Sequence, residues 1–284
     1  MPSEKKSRRW ARVFIATGVV GVLAGGVAWM ALKQNPTARD VTVDVTAASA
    51  SDVEHAGERR VLFAHQSVGQ NILDALPSVA QNASTTPIPV HTYSSASSIQ
   101  PGINETLIGE NGDPLGKIAA FDQLIRSGAG DVLDVALLKL CYIDFSAEMT
   151  NADEIFARYR DTVTALERDY PNVEFLYATT PLVTDRDLVE RAKNLLGRGM
   201  DRHPDANVMR EGFNAQMRKE FGDSGRLFDV ALLESAGTDG VASVRLDGDR
   251  EYLALDEQIS SDPGHLNHEG GMVLGAALLK LLAN

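Results

Sequence analysis

The hydrophobic pattern divides the chain into one uninterrupted apolar run near its start and, from residue 59 onward, short apolar runs that alternate with amphipathic stretches. The first run, VFIATGVVGVLAGGVAWMAL from Val13 to Leu32, holds no charge and follows Lys5, Lys6, Arg8, Arg9 and Arg12. At about 1.5 Å of rise per residue, a helix of this length spans the roughly 30 Å hydrocarbon core of a bilayer. The basic flank predicts a cytoplasmic tail over residues 1–12 and a chain that lies outside the cytoplasm after residue 32. A cleaved signal peptide would instead leave the domain secreted or periplasmic. Trp29, Met30 and Leu32 occupy the positions where a small-x-small cleavage site would fall, so a single-pass membrane anchor is the expectation. Residues 33–58, KQNPTARDVTVDVTAASASDVEHAGE, are small and polar and read as a linker.

Beyond the linker, RRVLFAHQ, PIPVHTY, DVLDVALLKLCY, VEFLYATTPL and RLFDVALLES read as five strands, most of them buried on both faces because their apolar character is nearly continuous. Helical spacing predicts helices at Val68–Ala80, Lys117–Ser127, Ala152–Asp169, Asn207–Phe221 and Glu269–Leu282. In the third, Ile155, Tyr159, Val163 and Leu166 share one face, and Tyr170-Pro171 closes the element. Strands alternating with helices imply a doubly wound, mostly parallel five-stranded sheet between two helical layers, a three-layer α/β/α domain over residues 59–284. In such sheets ligands bind beyond the carboxyl ends of the strands, so chemistry is to be sought there.

Charge narrows the partners. The chain has 27 Lys and Arg against 39 Asp and Glu, and because six of the basic residues lie before residue 34 the remainder carries a net charge of about −17. A strongly acidic domain disfavours nucleic acid, and membrane contact is expected through the N-terminal helix alone. The single cysteine, Cys141, ends a buried apolar run and has no partner for an internal disulfide.

Ser67 follows the first strand and has two readings. Ser67-Val68-Gly69-Gln70 fits a capping box, in which the hydroxyl accepts from the third amide of the helix. A serine at a strand-to-helix turn also exposes its hydroxyl at the sheet's carboxyl edge, beside amides able to stabilise an oxyanion. A nucleophile needs a base. Asp262 and His265, three residues apart, suit that role: the carboxylate holds imidazole Nδ1–H and leaves Nε2 to take the serine proton. A solvated turn with Asn267 capping the last helix would use the same residues without chemistry. Their joint presence favours chemistry, since both would reach the same edge of a doubly wound sheet.

The segment Asp262-Pro263-Gly264-His265-Leu266-Asn267-His268-Glu269-Gly270 resembles the D-x-x-H-x-N-x-x-G block of SGNH/GDSL hydrolases, and with Ser67 the resemblance covers Arg59 to Asn284. It implies a flavodoxin-like fold and ester hydrolysis through an acyl-serine, with Ser67 as nucleophile, His265 as general base and then acid, and Asp262 as the orienting carboxylate. The chain departs from the pattern at His65 and Gln66, which replace the usual glycine and aspartate before the serine. The family's oxyanion glycine corresponds to Gly109 or Gly112, and its asparagine after the third strand is absent from Leu140-Cys141-Tyr142-Ile143-Asp144. Asn111 and Tyr142 are the candidate replacement donors, beside the Ser67 amide. His65, Gln66 and Asp144 are candidates to line the substrate pocket.

No H-E-x-x-H or Cys/His cluster accompanies His265 and His268, so no metal or other cofactor is expected. The expected function is hydrolysis of a small-molecule or glycan ester outside the cytoplasm. A membrane-tethered binding or assembly module with a degenerate site, and an acyltransferase acting on a cell-surface glycan, are the competing expectations.

Overall fold

The computed structural model describes residues 35–145, 151–185 and 204–284. The apolar run Val13–Leu32 and its basic flank lie outside them, and among the described residues no helix is long and apolar enough to cross a membrane. In chain order the elements are β1 (Thr37–Thr42), α1 (Ala50–Glu58), β2 (Arg60–His65), α2 (Ser67–Asn82), β3 (Val90–Thr92), β4 (Gly102–Leu107), α3 (Pro114–Arg126), β5 (Val135–Leu138) and α4 (Ala152–Asp169). They continue with β6 (Glu174–Ala178), α5 (Pro204–Phe221), β7 (Leu227–Phe228), α6 (Val230–Ala236), β8 (Val241–Asp247), β9 (Arg250–Tyr252), β10 (Ser260–Asp262), β11 (His265–Leu266) and α7 (His268–Ala283).

A parallel sheet in the order β3-β4-β2-β5-β6-β7 runs through the middle of the domain. Its strands are apolar on both faces because both faces are covered. Val61 and Phe63 of β2, with Val135 and Leu137 of β5, pack among α1, α2, α6 and α7. The intervening Leu62, Ala64, Ala136 and Leu138 pack among α3, α4 and α5. The period of two along each strand thus makes two cores from one sheet. The chain leaves β2 toward β4 on one side and returns to β5 on the other, which places the topological switch point at the carboxyl end of β2.

The sheet has six strands, one more than the sequence suggests. The additional strand is β4, whose sequence GINETL is too polar to announce itself. Asn104 at its centre is fully buried, and its carboxamide is satisfied by Gln100 O at 2.8 Å, Val61 O at 3.2 Å and Gln100 N at 3.1 Å. RLFDVALLES, expected as one strand, divides at Asp229 into the short β7 and the helix α6. Asp229 caps that helix by accepting from Leu232 N at 3.2 Å. A continuous apolar run cannot by itself distinguish a buried strand from a buried helix.

The described part of the expected linker 33–58, residues 35–58, is not a plain linker. From Thr37 to Thr42 the chain pairs antiparallel with β8, which pairs with β9 to make a small second sheet. Ser49 and Asp52 close a capping box at the start of α1, whose Val53 and Ala56 are buried in the same core as α7. Lys280 of α7 binds Asp44 Oδ2 and Thr46 Oγ1, each at 3.0 Å. Val41, Val43 and Val45 pack against the same core, and tertiary contacts supply the stability that composition does not.

Helices α2 and α7 run side by side in the same direction, and the contact is made at glycines. A side chain on Gly271 would meet Asn71 O at 2.6 Å and Ala75 Cβ at 2.9 Å, and one on Gly275 would meet Leu76 Cδ2 at 3.1 Å. Both helices therefore start at the carboxyl edge of the sheet.

A chain beginning at Arg59 should be less stable to denaturant than one beginning at Asn35. The difference should be about 2 kcal/mol or more, the magnitude expected from losing the burial of the Val53 side chain alone. Urea unfolding of the two purified proteins measures it, and equal midpoints would show that residues 35–58 add nothing to the fold.

Candidate active site

The strand β2 ends at His65, paired with Leu107 of β4, and Ile108 N donates to His65 O at 3.1 Å. Helix α2 begins immediately: Gln66 is its N-cap, with extended backbone (φ −133°, ψ −167°), and Ser67 is its first residue. The capping box that Ser67-Val68-Gly69-Gln70 could make does not form. Helix entry lies one residue earlier than the motif requires, Gln66 makes no side-chain cap, and the Gln70 carboxamide binds Asp74 instead, at 2.8 Å. The Ser67 hydroxyl is therefore available, and it meets His265 Nε2 at 3.0 Å.

His265 is delivered by a two-stranded hairpin in which it pairs directly with Asp262 across the turn Pro263-Gly264. Its Nδ1 lies 2.9 Å from Asp262 Oδ1 and 2.8 Å from Oδ2. A carboxylate only accepts, so Nδ1 carries the proton and Nε2 is left to accept from the Ser67 hydroxyl. Burial would raise the Asp262 carboxyl, but the Gly264 amide, which donates to Oδ1 at 2.9 Å, and the His265 ring outweigh it and hold the group below the usual carboxylate range. The hairpin is fixed by Leu266 N donating to Asn71 Oδ1 at 3.3 Å and by Asn267, which caps α7 through Gly270 N at 3.0 Å. Tyr142 stands against it, edge-on to the imidazole with ring centroids 5.7 Å apart. A side chain at 264 would displace Tyr142 from the imidazole, since a Cβ there would lie 2.5 Å from Tyr142 Cζ.

Gln66 does not hang free as a pocket side chain. Its Nε2 donates to Ile108 O at 2.7 Å and to Gly109 O at 3.1 Å, tying the loop after β4 to the residue beside Ser67. Gly109 has φ of +60°, and a Cβ would meet Lys117 Cγ at 2.7 Å, so both backbone and space demand glycine there. Asn111, in the same loop, accepts from Lys117 Nζ at 3.0 Å.

Two of the residues expected to line a pocket are buried away from one. His65 is fully buried, with Nδ1 at 2.9 Å from Gln66 O and Nε2 at 3.4 Å from Glu105 Oε2, too long and poorly aligned for a full hydrogen bond. It fills the space that Gly69 leaves, where a Cβ would come within 2.4 Å of its ring. Burial lowers its pKa and keeps the imidazole neutral. Asp144 is buried in an ion pair with Lys117 Nζ, at 2.7 and 2.8 Å, and also accepts from Gly112 N at 2.9 Å and Cys141 N at 2.7 Å. Charge residues at the strand ends look like pocket residues in sequence; here they knit loops together from beneath.

Lys117 is the residue that sequence reading missed. It lies on the stripe of Ile118, Phe121 and Ile125, an apolar face on which a lysine is out of place, and that mismatch was the available signal. Lys139, Arg210 and Glu234 likewise lie buried near the carboxyl ends of β5 and β6. Burial pushes Lys139 down, Arg210 down to about 10 and Glu234 up to about 8. Glu234 also accepts from Leu182 N at 2.6 Å.

No family model and no curated protein matches the sequence. Among solved structures, the domain is similar to a GDSL-like lipase from Bacteroides thetaiotaomicron, at 12% identity and a TM-score of 0.50 over 79% of this chain and 88% of that one. It is also similar to the periplasmic domain of a lipopolysaccharide acetyltransferase from Salmonella ser. Paratyphi A, at 14% identity and a TM-score of 0.43 over 77% of this chain and 81% of that one. At such identities a likeness shows the fold alone: an α/β domain with a mostly parallel central sheet covered by helices, shared with the GDSL-like lipase.

The raised Glu234 gives a pH test. An acid held protonated in the folded state but free to ionise when unfolded costs stability as pH rises from its unfolded pKa, near 4.5, toward about 8. Glu234→Gln, which keeps an acceptor for the Leu182 amide, should therefore flatten the decline of stability between pH 5 and 8. Denaturant midpoints of both proteins across that range check this, and parallel pH curves would exclude it.

Proposed function

We propose that this chain is a serine-dependent hydrolase of a small-molecule or glycan ester, working through an acyl-serine. The observation that carries the reading is the Ser67 Oγ–His265 Nε2 hydrogen bond of 3.0 Å, backed by Asp262 on the opposite ring nitrogen. These are the contacts that a nucleophile, its base and an orienting carboxylate require. A serine spent on capping its helix would support a binding module instead, and Ser67 is not so spent.

In this reading Ser67 Oγ attacks the ester carbonyl while its proton passes to His265 Nε2. The carbonyl oxygen becomes an oxyanion at the N-terminus of α2, where the Ser67 amide and the helix dipole favour negative charge. Collapse breaks the bond to the alcohol, which leaves with the proton from Nε2. Water then attacks the acyl-serine, gives its proton to Nε2, and the second collapse releases the acid and returns that proton to Ser67. Asp262, ionised because its pKa is depressed, stabilises the imidazolium in both halves. Tyr142, packed on His265, and Gln66, holding Gly109, are positioning residues. Gly109 is the second backbone donor in this scheme.

The reading keeps the location expected from the sequence: the Val13–Leu32 run anchors the chain, and the acidic domain works on the extracytoplasmic side. The GDSL-like lipase of similar fold supports ester chemistry in general.

Ser67→Ala and His265→Ala should abolish hydrolysis of short-chain and acetylated esters. Asp262→Asn should lower kcat by about 10⁴-fold, since it removes the tautomer control on the imidazole. Steady-state kinetics with nitrophenyl acetate and with acetylated glycans provide the measurement. Full activity in Ser67→Ala, or none in the native chain on any ester, would sink the reading.

A further inference from the structure

Where the resemblance calls for an asparagine donor after β5, the chain offers none. Of Leu140 to Asp144 only Tyr142 and Ile143 reach the surface, and Ile143 is an exposed apolar side chain. The loop after β4 holds what is missing. Lys117 is fully buried, and its ammonium meets Asp144 Oδ1 at 2.7 Å, Asp144 Oδ2 at 2.8 Å and Asn111 Oδ1 at 3.0 Å. An ammonium donates and cannot accept, so the Asn111 carboxamide must turn its oxygen to Lys117 and its NH₂ away from it. That NH₂ belongs to an exposed residue and has no partner among the described residues.

The same loop is held at both ends. Gln66 ties Ile108 and Gly109 to the residue preceding Ser67, while Asp144 takes the Gly112 amide at 2.9 Å and links it to Cys141. Asn111 thus lies in a short, doubly anchored segment that starts beside the nucleophile. A buried ion pair stabilises a fold no better than well-packed apolar residues of the same volume, so holding this loop gives the pair a role that stability does not.

We propose that the Asn111 carboxamide nitrogen is the side-chain donor of the oxyanion hole, and that the buried Lys117–Asp144 pair aims it. The inference rests on Ser67 being the nucleophile. Asn111 touches the reacting oxygen in this scheme; Lys117 and Asp144 are positioning residues.

The test is the rate at which a fluorophosphonate labels Ser67 in the full chain, followed by intact mass. The serine–phosphorus bond forms, fluoride leaves, and the phosphoryl oxygen occupies the oxyanion position. Asn111→Ala should slow labelling by about 10²-fold or more in a chain that still unfolds cooperatively. Asn111→Asp, which keeps an acceptor for Lys117 but has no NH₂, should be at least as slow. The double variant Lys117→Met/Asp144→Asn leaves no buried charge unpaired. It should slow labelling to the same extent, and adding Asn111→Ala to it should slow it no further. Labelling of Asn111→Ala at the native rate would overturn the donor while leaving Ser67 as nucleophile, and losses that multiply in the triple variant would overturn the aiming role. If native Ser67 takes no label, the nucleophile reading falls and this inference falls with it.

Discussion

The parallel contact between α2 and α7 governs the candidate site. Ser67 opens one helix and His265 lies three residues before the start of the other, so the distance between them follows from how closely the two helices approach. Glycine inside a helix costs roughly 0.5–1 kcal/mol relative to alanine. Here Gly271 and Gly275 allow backbone of one helix to touch the other, and Asn71 O fills the space a side chain at 271 would take. Asn71 serves the contact twice, because its carboxamide also accepts from Leu266 N and holds the hairpin that carries the imidazole.

Beneath that edge the domain buries charge. Lys117 and Asp144 neutralise each other, and each is further satisfied by a loop: Asn111 for the lysine, the Gly112 and Cys141 amides for the aspartate. Lys139 and Glu234 are less fully satisfied, and burial drives both toward their neutral forms. The two cases differ because desolvation of an ion is offset only by close, multiple hydrogen bonds. The loops at the carboxyl edge are thus tied from inside by opposite charges.

Much of the architecture was legible because parallel strands covered on both faces need continuous apolar runs, and VLFA, VALL and FLYA are such runs. The strand β4 was not, since its central Asn104 is buried only through partners from β2 and the preceding loop. Nor was the fold of residues 37–58, where Thr37–Thr42 becomes a strand only when β8 is there to pair with it. In the site, Ser67, Asp262 and His265 were readable from residue type and spacing, whereas Lys117 betrayed itself only as a charge on an apolar helix face.

Sequence by itself determined the chemistry that could be assembled: a serine at a strand-to-helix turn, and a carboxylate and an imidazole three residues apart. Spacing within one hairpin already fixes Asp262 against His265, because both lie on the same short turn. Only the tertiary structure decided what each side chain is free to do. It starts α2 at Ser67 and so releases the hydroxyl from capping, and it brings together residues almost two hundred positions apart through a helix contact that no local pattern encodes. It also withdraws His65 and Asp144 into the interior, because burial depends on which neighbours fill the space around a residue and not on the residue alone.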